Sequence, residues 1–197
     1  MPWLIALSAA ASLLLASLRT PTDSAIGVTS FAGHWAMPTA TAWLLAGVLS
    51  SVIGLLQYFG AATYLSSWVN QTTLGEAFAN LRQRNQYATL TNIALSALIW
   101  LAVRVQQPQT PFTTTRQCWM LVFASLLAVG NAISSSRTGL FQLLLLCAVY
   151  AAWGGLRFVV IWRFLLCSVL VYAVAMFAIP WTAGFDLDSH GAFARLG

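Results

Sequence analysis

Six stretches of this chain, about residues 3–18, 41–63, 86–103, 117–135, 138–153 and 158–180, are apolar and nearly free of charge. A helix rises about 1.5 Å per residue, so roughly 20 such residues cross a hydrocarbon core of about 30 Å. The runs lack the apolar/polar alternation of an outer-membrane strand. They predict an all-α fold, a polytopic transmembrane helical bundle of about five to six spans. The tryptophans agree: Trp43, Trp119, Trp153 and Trp181 stand at span ends, and Trp68 and Trp100 lie close to others, as an interfacial aromatic belt requires.

Composition closes the alternatives. Only 7% of the 197 residues are charged and 59% are hydrophobic, whereas a soluble domain carries about a quarter charged residues. A soluble enzyme, a disordered chain, a collagen-like chain and a coiled coil are all excluded. The nine basic residues are all Arg, against Asp23, Glu76, Asp186 and Asp188, for a net charge of +5. Charges so scattered form no nucleic-acid patch. Cys118, Cys147 and Cys167 follow no metal-binding or C-x-x-C spacing and each lies in an apolar run. They read as small hydrophobes facing lipid or a neighbouring helix, with no disulfide framework and no metal.

The first stretch is short for a crossing and ends at Arg19-Thr-Pro21; no basic segment precedes it, as a signal peptide requires. The chain divides into an N-terminal apolar segment and loop over 1–40, a transmembrane bundle over 41–180 and a tail over 181–197. Arg19, Arg104, Arg116, Arg157 and Arg163 fall on one set of loops; Arg82, Arg84, Arg137 and Arg195 fall on the other. That near balance decides little under the positive-inside rule. Glu76, Asp186 and Asp188 lie in the second set and lean it outward.

Two polar constellations interrupt the apolar pattern. The stretch from Asn70 to Gln86 holds Arg82, Arg84, Asn85 and Gln86 and ends where the third run begins. Arginine offers a planar fork for phosphate oxygens and amides add neutral donors; the same arginines also suit plain headgroup anchoring. The second, Asn131-Ala-Ile-Ser134-Ser-Ser136-Arg137-Thr-Gly139, sets hydroxyls and an arginine between two spans with almost no loop. Polar groups at such depth line a cavity or pair; equally, Ser and Thr cap the next helix and Gly139 allows close packing. From residue types alone both pairs of readings stay open.

His34 and His190 are single histidines in polar segments, best read as ordinary surface residues. Asp186 and Asp188 have no further acid nearby to make a two-carboxylate site. The P-loop, GxGxxG, HExxH and GxSxG patterns are absent.

The element Asn80-Leu-Arg-Gln-Arg-Asn-Gln-Tyr87-Ala-Thr-Leu, opening a membrane helix, resembles a signature of the O-antigen ligase and bacterial O-oligosaccharyltransferase family, most of all its pilin-glycosylating branch. Ser135-Ser-Arg137-Thr-Gly-Leu-Phe-Gln142 is similar to the same family's Ser-Arg-Thr-Gly element, and Gly54-Leu-Leu-Gln-Tyr-Phe-Gly60 fits before them. The resemblance covers about residues 41–197. It implies a multi-pass protein of the bacterial inner membrane that takes a glycan from undecaprenyl diphosphate and transfers it to a periplasmic acceptor. That acceptor is a pilin Ser or Thr, or lipid A core. No metal or other cofactor is implied. Carried onto this chain, Arg82, Arg84 and Arg137 hold the diphosphate, and Asn85, Gln86 and Ser136 shape the pocket.

The same resemblance implies a histidine base in a large periplasmic loop further along. The chain reaches Gly197 about where that loop would begin, so it reads as the front portion of the family's fold with a shortened start, inactive alone. The competing class is a non-catalytic membrane protein that binds polyprenyl-linked lipid or a partner subunit. A small transporter is a third, disfavoured because intramembrane acids are scarce.

Overall fold

A computed structural model describes residues 26–65, 67–105, 114–154 and 159–183. Five helices make up its regular structure: α1 (Ile26–Tyr58), α2 (Arg84–Val105), α3 (Thr114–Ile133), α4 (Arg137–Gly154) and α5 (Val159–Thr182), with a short 3-10 helix over Ala61–Leu65. Among the described residues there is no strand. Four segments are long and apolar enough to cross a membrane: Trp35–Tyr58, Arg84–Arg104, Thr115–Ile133 and Ile161–Thr182. Arg137–Ala152 is a shorter apolar helix. The all-α membrane bundle expected from the sequence is therefore present.

Where the expected boundaries fail, they fail at α1. The expected span 41–63 is shifted: the helix already runs from Ile26, so 26–40 is not loop, and it ends at Tyr58. Gly60 sets that end, since its φ of +75° lies in the left-handed region open to glycine. Trp43 accordingly sits inside the helix. The expected span 3–18, the acids Asp186 and Asp188, His190 and the tail from 184 lie outside the described residues.

Helix α2 is the centre of the bundle and touches each of the other four helices. One whole side of it is buried, including Tyr87, Ala94, Leu95, Leu98 and Ile99. Small residues let its neighbours approach: Gly47 on α1 meets Ala94, and Gly54 meets the Tyr87 ring. In lipid, where apolar surface gains little from leaving its solvent, such close approach is the main source of helix association. The opposite faces carry Leu49, Val122, Leu144, Leu166, Leu170 and Val174 exposed, as lipid contact demands.

Gly47 and Gly54 pair with Ala94 and Tyr87 in reverse order, so α1 and α2 are antiparallel. Asn85 and Thr89 bond Ser136 and Gln142 in the same order, so α2 and α4 are parallel. The chain thus runs up and down. The loop after α1 and the turn between α3 and α4 share one end of the bundle, where Arg82, Arg84 and Arg137 all stand.

The cysteines are free: Cys118 is exposed, and Cys167 faces Ser125 on α3 with its Sγ 3.6 Å from the hydroxyl.

Candidate functional site

The connection from Tyr58 to Arg84 is folded, and one buried amide organises it. Gln57, 1% exposed, donates from Nε2 to the carbonyls of Asn70 (2.9 Å) and Ala79 (2.8 Å). Its Oε1 accepts from the amides of Phe78 (3.1 Å) and Ala79 (2.7 Å). All the bonding capacity of that side chain is spent on holding the loop against the helix end. Asn80 ties the loop a second time, donating to the Trp68 carbonyl at 3.0 Å and accepting from the Asn70 amide at 3.0 Å.

This frame fixes the arginine element. Ala79 and Arg82 both take left-handed backbone conformations, φ +51° and +60°, which non-glycine residues adopt only where the surroundings insist. Arg82 is exposed just before α2, and Arg84 is the first residue of α2, also exposed. Among the described residues the acid beside it is Glu76, with its Oε1 4.0 Å from Arg84 Nη2. At that separation and exposure the pair adds little stability. Gln86, in the first turn of the helix, is half-buried.

The second constellation meets the first. Ser136 is buried, and its hydroxyl accepts from the Gly139 amide at 3.2 Å, which makes it the N-cap of α4. The same hydroxyl donates to Asn85 Oδ1 at 2.8 Å. The bond joins the residue after Arg84 to the residue before Arg137, so the starts of α2 and α4 lie side by side. Arg137, first in α4, is exposed.

Beneath the arginines the polar contacts continue into the bundle. Thr89 donates to the Asn85 carbonyl (2.8 Å) and accepts from Gln142 Nε2 (3.0 Å). Asn92 Nδ2 reaches the carbonyls of Ala88 and Gly139, each at 3.1 Å. Asn131 Nδ2 reaches Asn92 Oδ1 and the Gly139 carbonyl, each at 3.3 Å. Asn92 and Gln57 have roles that residue-by-residue reading missed. The signal was available: an amide inside an otherwise apolar span is expensive unless it is satisfied.

Electrostatically the arrangement is one-sided. A helix start carries a partial positive charge that favours anions and disfavours cations. Yet α2 and α4 both begin on arginine, with no acid in either first turn. Two positive helix ends and three arginines therefore share one end of the bundle, with Glu76 beside Arg84. What such a place accommodates is a multivalent oxyanion.

A family model described as protein glycosylation ligase matches residues 77–102, the segment that runs from the loop through Arg82, Arg84, Asn85 and Gln86 into the buried length of α2. No curated protein and no solved structure matches the chain.

Proposed function

We propose that this chain is a membrane glycan transferase of the O-antigen ligase and O-oligosaccharyltransferase type, taking a glycan from undecaprenyl diphosphate. The arginine-bearing end faces the periplasm of a bacterial inner membrane, where the acceptor is a pilin Ser or Thr or lipid A core. One observation carries the reading: Arg84 and Arg137 begin two helices that the Ser136–Asn85 bond holds together, and the first of these lies within the matched segment.

The chemistry follows from the charge. Breaking the sugar–phosphate bond leaves negative charge on the lipid diphosphate. Cations and helix ends gathered at that end of the bundle stabilise the charge as it develops. Arg82, Arg84 and Arg137 hold the diphosphate; Asn85 and Gln86 shape the pocket beside it, and Ser136 braces it. The acceptor hydroxyl must also lose a proton as it attacks, a role that the resemblance gives to a histidine of the family's later loop.

Photo-crosslinking in membranes with a polyprenyl-diphosphate probe tests the reading. The expected result is labelling near residues 82–86 that the Arg82→Ala, Arg84→Ala double variant lowers about tenfold. Equal labelling of wild type and variant would remove the arginines from the site. Arginine-dependent labelling, with no glycan transfer by any form carrying these residues, would leave a lipid-binding role in place of catalysis.

A further inference from the structure

The loop between α1 and α2 carries large apolar side chains that it does not bury. Tyr64 is 91% exposed and Trp68 82%, and Phe59, Leu65 and Leu74 are exposed as well. The residues it does bury are small: Ala62, Val69, Ala77 and Ala79. That is the reverse of the arrangement water selects, where large apolar side chains go inside. The loop is nonetheless folded, since the amides of Trp68 and Val69 both donate to the Leu65 carbonyl at 2.9 Å and Asn80 holds Trp68 and Asn70. An ordered apolar surface of this kind marks a contact with something other than water.

Hydrogen bonds fix the level at which that surface stands. Gln57 bonds Asn70, Phe78 and Ala79, and the Tyr58 carbonyl accepts from the Gly75 amide at 3.1 Å. Tyr58 ends the spanning segment Trp35–Tyr58, and Arg84 begins the next, Arg84–Arg104. The loop is therefore tied down across the ends of two spans.

Its apolar surface continues the lipid-facing side of α1. Leu45, Leu49 and Val52 are exposed at helical spacing, and Phe59 falls two turns beyond Val52. The Phe59 amide still donates to the Leu55 carbonyl at 3.1 Å, so the helical turn carries through to it. Leu74 Cδ2 lies 2.6 Å from where a Cβ on Gly60 would stand, which extends the surface from the helix end onto the loop. Tyrosine and tryptophan, with an apolar body and a polar tip, suit the headgroup boundary. The exposed arginines that follow, Arg82 and Arg84, suit lipid phosphates.

We infer that the α1–α2 loop is an in-plane membrane anchor, with Phe59, Tyr64, Leu65, Trp68 and Leu74 seated where lipid headgroups meet acyl chains. The partner is the lipid surface itself. Arg82 and Arg84 then stand level with the lipid phosphates. The inference rests on the spans and the loop alone and does not depend on the glycan reading.

Two measurements on the full chain in nanodiscs of phosphatidylethanolamine and phosphatidylglycerol test it. In the first, lipids brominated near the headgroup end of the acyl chain are expected to quench Trp68 emission, read as the quenched component lost in Trp68→Phe. Lipids brominated near the chain terminus are expected to quench it less. In the second, Cys118, Cys147 and Cys167 are replaced by alanine, and Tyr64→Cys, Leu65→Cys and Leu74→Cys carry a nitroxide in turn. Leu49→Cys, on the lipid stripe of α1, marks the bilayer interior. The loop labels are expected to be reached by oxygen, which concentrates in lipid, and to report a shallower depth than Leu49. Unchanged thermal melting shows that each variant is folded; where one is not, the bromine result on the native chain decides.

No Trp68 quenching by either lipid, or loop labels open to a water-soluble nickel chelate as fully as a free label in buffer, would stand the loop in water and overturn the anchor. Labels closed to both oxygen and the chelate would put the loop against protein, a second copy of the chain included, and overturn it equally.

Discussion

The hydroxyl of Ser136 donates to Asn85 Oδ1 at 2.8 Å while it accepts from the Gly139 amide at 3.2 Å. One atom thus caps α4 and fastens it to the start of α2. Ser136→Ala removes both bonds in a buried setting, so the expected loss is about 1–2 kcal/mol. Thermal unfolding in detergent reads the loss. Asn85→Ala is expected to be milder, because it leaves the cap in place. A double-mutant cycle isolates the bridge between the helices, and a coupling energy of zero would refute it.

Gln57 is the strongest candidate for a single residue on which the 67–83 loop depends. Gln57→Leu preserves volume but orphans two backbone amides and two carbonyls that it now satisfies. Each buried orphan costs about 1–3 kcal/mol, so the loop will detach from the helix end before α1 unfolds. Hydrogen exchange at Phe78 and Ala79 should rise by orders of magnitude while exchange within α3 stays slow. Gln57→Glu should behave the same way, because a carboxylate offers no donor to the Asn70 and Ala79 carbonyls. Unchanged protection in either variant would contradict the clamp.

The spans were legible because length and apolarity alone decide what crosses a bilayer; 86–103, 117–135, 138–153 and 158–180 each match a helix to within three residues. The start of α1 was not legible. Gly27, Gly33 and Pro38 read as helix breakers by the propensities of soluble proteins. A membrane helix tolerates a proline where other groups re-satisfy the backbone, and here Thr41 donates to the Met37 carbonyl at 2.9 Å. The six residues proposed for the site stand in polar stretches whose chemistry alone left the reading open, and the resemblance singled them out. That Ser136 would reach Asn85 could not be read, because a contact across fifty residues of chain depends on how the helices pack. Gln57 could be marked as an amide within an apolar run, but its four partners could not, since they are backbone groups that no residue pattern marks.

Close packing around α2 makes its facing glycines intolerant. A methyl group at Gly139 would collide with Asn131 Oδ1 and lie 2.6 Å from the Ala88 Cβ, which the backbone of α2 holds in place. Gly139→Ala should therefore destabilise the bundle by about 1–3 kcal/mol, as overpacking does. It should also displace the start of α4 and lower diphosphate-probe labelling. Leu144→Ala on the exposed face of the same helix serves as the control, and a melting temperature no higher for the control than for Gly139→Ala would count against this account.

Arginines that begin α2 and α4 oppose the helix dipoles, and this separates a binding role from a structural one. A cation in the first turn is unfavourable by about 0.3–1 kcal/mol, and the Glu76 contact of Arg84 at 4.0 Å is too long and too exposed to offset it. Arg84→Ala should leave the melting temperature of the empty protein unchanged or raise it slightly. Arg84→Glu should raise it further by placing a negative charge at the positive end. Both should weaken capture of a polyprenyl-diphosphate probe, Glu more than Ala, and the wild-type affinity should fall with added salt as charge screening predicts. A residue kept only for folding would move stability and binding down together. Opposed changes on the two axes are the signature expected of a guanidinium retained for an anionic ligand, and a parallel fall in both would assign Arg84 to the scaffold.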